Sequence, residues 1–245
     1  MILLISDVHC QFQLVNQQIV HAETTLGKTV SQVAVLGDFG LFDHSLYDFF
    51  IRKKQSFIRP LAFIEGNHEE FDRFTELVEK YADFFVHWPR GSVQQVGGLN
   101  LLCLGGAAYM DMHTTPRGCE IVDKDIENCL KHPPGGADII LSHDCPNDIG
   151  VLNAPGFEHY GKPGFARGRE LIDHFKPRYW VFGHHHKWFH AQVGPTHCQG
   201  LAESWNGYAI IDDQGALSVK NNSIDRPLGF WKALWRKIFG IRDQS

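Results

Sequence analysis

The feature that most constrains this chain is a repeated pairing of a short apolar run with a following cluster of carboxylate, imidazole and amide side chains. Runs at Ile2–Ser6, Val33–Leu36, Leu61–Glu65, Leu99–Leu104, Asp138–Ser142 and Arg178–Phe182 have the length and content of buried strands. After each of the first three comes a segment with helical spacing, Phe12–Leu26, Ser45–Arg52 and Phe71–Tyr81. The first third therefore alternates strand and helix, the order of a largely parallel sheet with crossover helices. After about residue 187, the pieces Trp188–Val193, Tyr208–Ile211 and Leu217–Val219 are separated by Gly and Asp turns and are expected to be antiparallel strands completing a second sheet. Gly105–Lys124 and Asp144–Arg169 lack a clear period and are expected to be long loops of the kind that carry function.

Length and composition remove several classes. The 245 residues, 43% of them hydrophobic and 12% aromatic, supply the core of one large domain, which excludes intrinsic disorder. No apolar run approaches the roughly 18 residues of a membrane-spanning helix. The start, Met1 to Asp7, has no basic region or small-residue cleavage site and is read as a first strand rather than a leader. Six scattered cysteines without CxxC spacing argue against a zinc knuckle or a redox dithiol, and reduced thiols in a cytoplasm are the expectation. A net charge of −5 argues against coating of long nucleic acid.

Five polar clusters follow five of the strands: Asp7-Val8-His9, Gly37-Asp38, Gly66-Asn67-His68-Glu69, Ser142-His143-Asp144 and Gly183-His184-His185-His186. In open α/β sheets the strand C-termini share an edge where ligands bind, so all five can converge. Alternation along an extended segment would turn Asp7 and His9 toward one point, and His184 and His186 likewise, with His185 facing away. With Asp38, Asn67 and His143 the inventory is two carboxylates, one amide oxygen and four imidazoles, a mixed set suited to Mn, Fe, Zn or Ni, Mn being favoured. Seven ligands exceed one tetrahedral ion and fit two ions sharing a carboxylate. Glu69 and Asp144 are candidates to orient an imidazole. Histidines 21, 87, 132, 174 and 190 read as surface or packing residues, and Cys10 as a packing thiol.

The ordered set DxH, GD, GNH[DE], lone His and GHxH, spread from Asp7 to His186, resembles the signature of the calcineurin-like metallophosphoesterase superfamily. The resemblance implies an α/β fold, a four-layer αββα sandwich of two mixed sheets flanked by helices. It implies one ion held by Asp7, His9, Asp38 and His186 and another by Asp38, Asn67, His143 and His184, with His68 the catalytic histidine beside the leaving group. The implied activity is dinuclear metal-dependent phosphoester hydrolysis, most simply of a phosphodiester, with a metal-bridging hydroxide as nucleophile. The arginine of the GDxxDRG protein-phosphatase pattern is absent from Gly37-Asp38-Phe39-Gly40-Leu41-Phe42-Asp43, which argues against that subgroup.

Residues 138–190 are similar to the same region of RNA lariat-debranching enzymes, which typically carry Cys where this chain has Asp7. A nuclease or debranching-type enzyme is therefore the rival reading within enzymes, and a non-catalytic interaction module retaining the fold is the rival outside them. Arg117, Arg167 and Arg169 could clamp phosphate and Tyr109, Phe157 and Tyr160 could stack a base, although ordinary loop surface is the simpler reading of each. The domain is expected to span residues 1–224. Residues 225–245 are read as a basic amphipathic helix that docks to the domain, an oligomer mate or a partner: Phe230, Trp231, Leu234, Trp235, Ile238 and Phe239 fall at helical spacing with Lys232, Arg236 and Lys237 largely opposite.

Overall fold

The computed structural model describes residues 1–224, so the expected C-terminal helix of 225–245 lies outside the described residues. Two six-stranded sheets face each other. The first is built on β1 (Ile2–Ile5), β2 (Gln32–Leu36), β3 (Leu61–Ile64) and β4 (Val86–His87), all parallel. The second has β5 (Val93–Val96), β6 (Leu99–Leu104), β7 (Ile139–Ser142) and β8 (Tyr179–Phe182), with β6, β7 and β8 parallel and β5 antiparallel at one edge. At its other edge stand β10 (Thr196–Gly200), parallel to β8, and β9 (Phe189–Val193), antiparallel to β10.

Alternation along the strands explains why there are four layers. In β1, Ile2 and Leu4 join Ala34, Leu36, Ala62 and Ile64 against Leu101, Ile139, Leu141 and Val181 of the opposite sheet, forming the central core. Leu3 and Ile5 point the other way and join Val33, Val35 and Phe63 beneath the helix α1 (Phe12–Leu26), whose Phe12, Val15 and Ile19 cover them. Phe49 and Phe50 complete that layer from a helical stretch that begins as α2 (Asp43–Leu46) and continues as π-helical turns at Tyr47–Arg52. The outer face of the second sheet, Leu102, Leu104, Ile140, Trp180 and Phe182, is covered by Ile126 of α4 (Asp123–Cys129) and Leu171, Ile172 and Phe175 of α5 (Gly168–Phe175). The segment expected as one helix over Phe71–Tyr81 is a 3₁₀ turn, Phe71–Arg73, followed by α3 (Phe74–Lys80).

One expectation is corrected. Of the C-terminal strands, β9 completes the second sheet, but β11 (Gly207–Ile211) and β12 (Leu217–Asn221) return to the first, with Ile211 opposite Ile2. The reason is burial on both sides: every residue of β11 is buried, so it fits beside central β1. The short α4 and α5 flank the two long loops, where sequence alone marked neither helix.

Candidate metal centre

All five polar clusters sit beyond the C-terminal ends of β1, β2, β3, β7 and β8, along the edge where the two sheets meet. Hydrogen bonds cross between the sheets there, among them His143 Nδ1 with the Leu36 carbonyl at 2.9 Å and His184 N–H to Asp7 Oδ2 at 3.1 Å. The backbone is held tightly enough that glycine is required. A Cβ on Gly37 would strike the His143 ring, one on Gly66 the backbone nitrogen of Asp38, and one on Gly183 the Ser6 hydroxyl.

Convergence is achieved by a route other than strand alternation. Asp7 (φ 54°), His9 (φ 47°), Asp38 (φ 49°), His184 (φ 64°) and His186 (φ 54°) are all in the left-handed region, so the chain turns sharply at these five positions instead of running on extended. Asp and His tolerate this region better than most residues, yet each such residue costs on the order of 1–3 kcal/mol. Strain gathered on the polar clusters is what a functional constraint looks like.

One ligand atom each from Asp7, His9, Asp38 and His186 lies within 4.8 Å of the others. Individual separations are 3.1 Å for His186 Nε2 to Asp7 Oδ1, 3.5 Å for His9 Nε2 to His186 Nε2, and 3.7 Å for His9 Nε2 to Asp38 Oδ2. Ligands about 2.0–2.2 Å from one ion would stand roughly 3.0–3.5 Å apart along the edges of a tetrahedron or octahedron, so most of these separations match. Asp7 is fully buried and its Oδ1 accepts no hydrogen bond, although His186 Nε2 stands beside it. A buried carboxylate oxygen needs a positive partner, which the protonated His186 imidazole supplies in the metal-free protein and a metal ion can supply in its place.

Asn67, His143, Asp38 and His184 form a chain rather than a point. His143 Nε2 is 2.9 Å from Asn67 Oδ1 and 3.4 Å from Asp38 Oδ1, and the His143 and His184 rings face each other at 4.9 Å between centroids. With Nδ1 turned to the Leu36 carbonyl, the Nε2 lone pair faces two oxygen acceptors, again the arrangement a cation resolves. The first set therefore fits a metal ion, whereas Asp38, His143 and His184 do not draw together around one point as tightly; Asp38 is common to both sets. Asp38 Oδ1 also accepts the backbone N–H groups of Asn67 and His68 at 2.8 and 2.9 Å, which orients it.

The charge states favour ligation. Burial pushes His9 down to about 4 and His184 down to about 3, so both imidazoles are neutral at pH 7. Burial acts upward on Asp7 and Asp38, but the surrounding histidines, His186 foremost for Asp7 and His143 for Asp38, hold both carboxylates well below their usual range. His186 is opposite: burial opposes its charge, yet Asp7 and then Glu203 carry it up to about 9. Glu203 Oε1 lies 3.6 Å from His186 Nδ1 and is a site residue that sequence reasoning missed, since it stands outside every motif.

Other expected residues fall into distinct places. His68 is partly exposed, with its ring 5.6 Å from that of His9, on the open side of the cluster. Glu69 orients no imidazole. Its carboxylate accepts the backbone N–H groups of Phe39, Gly40 and Leu41 at 2.9, 3.0 and 2.6 Å, fixing the loop after Asp38. Burial and the charge of Asp38 push Glu69 up to about 8. Asp144 does orient an imidazole, that of His185 at 2.9 Å, with Cys145 Sγ 3.3 Å from the same nitrogen. Cys10 Sγ packs on the Gly40 carbonyl at 3.6 Å. Arg167 is engaged with Glu170 and Asp123 and Arg169 with Asp173, away from the cluster, while Arg117 is exposed. His87 Nε2 is hydrogen-bonded with Glu65 Oε2 at 2.9 Å, and His21, His132 and His174 make ordinary hydrogen bonds.

Fold and site together define an α/β two-sheet sandwich with a candidate transition-metal centre on the shared strand-end edge. The chain belongs to the calcineurin-like phosphoesterase family, whose model matches residues 1–188. The lariat debranching enzyme of Entamoeba histolytica is 36% identical over 75 residues, covering 27% of this chain and 21% of that enzyme. The match thus spans well under two thirds of the relative. One solved structure superposes with a TM-score of 0.61 at 15% identity, over 91% of this chain and 98% of its own. A putative 5′-nucleotidase from Staphylococcus aureus, solved with α-ketoglutarate, superposes with a TM-score of 0.52 at 14% identity over 98% of this chain and 58% of that one. At these identities the structural likeness speaks for the fold alone. Among the described residues no helix is long and apolar enough to cross a membrane.

Proposed function

We propose that this protein is a dinuclear metal-dependent phosphodiesterase. The observation that carries the reading is the convergence of Asp7, His9, Asp38 and His186, with an acceptor-rich Asn67–His143 pair joined to it through Asp38. Asp7, His9, Asp38 and His186 would hold one ion, and Asp38, Asn67, His143 and His184 the other, Mn²⁺ being the favoured metal. When bound, such a pair of cations brings the pKa of water toward neutrality and neutralises phosphate oxygens.

The chain's own residues do the rest. Neutral His9 and His184 offer lone pairs without adding charge. Asn67 contributes an oxygen without the negative charge that would repel a phosphate. His68, on the open side, donates a hydrogen bond or a proton to the departing alkoxide. Glu69 keeps the Asp38 loop from shifting while charge develops. A cytoplasmic setting and a small phosphoester or nucleotide substrate belong to the same proposal.

The test is hydrolysis of bis-p-nitrophenyl phosphate and p-nitrophenyl phosphate side by side by protein stripped and reloaded with Mn²⁺. Faster diester turnover is expected; preference for the monoester would replace the diesterase reading. Action on RNA has one specific support, the local 36% identity to a lariat debranching enzyme. Cleavage of a branched oligonucleotide at a rate above that of a linear one would favour it.

A further inference from the structure

Asn67 is engaged at both ends of its carboxamide. Oδ1 faces His143 Nε2 at 2.9 Å, and Nδ2 donates to the Thr114 carbonyl at 2.7 Å. Rotating the amide by half a turn would set an N–H group where a lone pair is needed, so the Thr114 carbonyl decides which end meets the metal position. Thr114 lies in the long loop between β6 and α4, and its own placement rests on Asp111. Asp111 Oδ1 accepts the backbone N–H groups of His113 and Thr114, both at 2.8 Å, and the Thr114 hydroxyl at 3.0 Å. Thr115 N–H closes the same turn on the Asp111 carbonyl at 2.8 Å, and the buried Thr115 hydroxyl donates to the Ala108 carbonyl at 3.1 Å.

The other carboxylate oxygen of Asp111 leaves the loop. Oδ2 accepts the phenol of Tyr160, which belongs to the second long loop, between β7 and α5. Across both loops large apolar side chains stand in solvent: Tyr109 and Met112 on the first, Leu152 and Phe157 on the second. The Asp111–Tyr160 bond thus ties an exposed apolar rim to a turn that grips a candidate ligand.

We infer that Asp111 is a positioning residue for Asn67, shaping the turn whose Thr114 carbonyl orients the carboxamide, and that Tyr160 makes that orientation depend on the second loop. The inference rests on Asn67 being a ligand. A phosphoester whose organic part contacts the rim would then settle the loops and the ligand together.

The experiment is calorimetric titration of the whole metal-free chain with Mn²⁺, using wild type, Asn67→Ala, Asp111→Ala, Asp111→Asn and Tyr160→Phe. Wild type that fails to take two ions refutes the dinuclear reading itself, independently of Asp111. Given two ions, Asn67→Ala identifies which of them depends on the carboxamide. Asp111→Ala should weaken that ion about tenfold and leave the other unchanged, whereas general loss of structure would weaken both. Asp111→Asn, which keeps an oxygen for the turn, should restore most of the affinity. Wild-type affinity for both ions in Asp111→Ala, or equal weakening of both, overturns the inference. If Asp111→Ala does not fold, Tyr160→Phe carries the test, with a smaller loss for the same ion expected and unchanged affinity overturning the link.

Discussion

Metal binding should expel protons, and His186 sets how many. In the metal-free protein Asp7 at 3.1 Å and Glu203 at 3.6 Å carry His186 up to about 9, so at pH 7 it is a cation and must lose its proton to become a ligand. Displacing a proton held two pH units above the solution costs about 3 kcal/mol, so affinity for that ion should rise about tenfold per pH unit from 7 to 9 and then level off. Calorimetric titration with Mn²⁺ at pH 7, in buffers of different ionisation enthalpy, should therefore report about one proton from His186 in addition to any given up by metal-bound water, and above pH 10 only the water's share should remain. Release of less than about half a proton at pH 7 would refute the assignment of His186 as a charged group displaced by metal. Glu203→Gln removes one of the two charges that hold the proton and should reduce the pH dependence. The same shift fixes a stability trend: the raised pKa of His186 stabilises the metal-free fold fully below pH 6.5, and this contribution disappears as pH rises through about 9.

Three further outcomes follow from the geometry. Asp38→Asn removes the carboxylate shared by both ligand sets and should lower affinity for both ions at least tenfold, read by metal count after dialysis. His68→Ala should reduce turnover about 10²–10⁴-fold while metal content stays near that of wild type; loss of metal would show that His68 acts as a ligand instead. Gly183→Ala places a methyl group into the Ser6 hydroxyl and beside Asp7, and should lower stability by about 1–3 kcal/mol in thermal melting together with metal affinity.

The parts legible in the sequence were those with a short-range physical signature. The runs Ile2–Ser6 and Val33–Leu36 read as strands because burial on both faces requires unbroken apolar residues, and both are strands. Helix α1 matches its expected span because Val15, Ile19 and Ala22 repeat at helical spacing. The return of β11 to the first sheet was not legible, because Gly-Tyr-Ala-Ile-Ile carries no mark of which sheet it joins; the pairing of Ile211 with Ile2 is a long-range choice. β10 was missed because Thr-His-Cys-Gln-Gly is neither an apolar run nor a regular alternation. At the site, residue types and motif order identified which side chains come together around Asp7, His9, Asp38 and His186, but not the left-handed turns that bring them there. Glu203 and the Thr114 carbonyl carry no sequence signal, since one is an isolated acid and the other is backbone.

The central claim is that one edge of this sandwich holds two metal ions through Asp38. The most direct measurement is the number of Mn²⁺ ions retained per chain after the protein is stripped, reloaded and desalted, compared with Asp38→Asn treated identically. Two ions in the wild type, with both depleted in the variant, is the predicted result. Fewer than one ion per chain in the wild type, or a variant that still retains two, would contradict it.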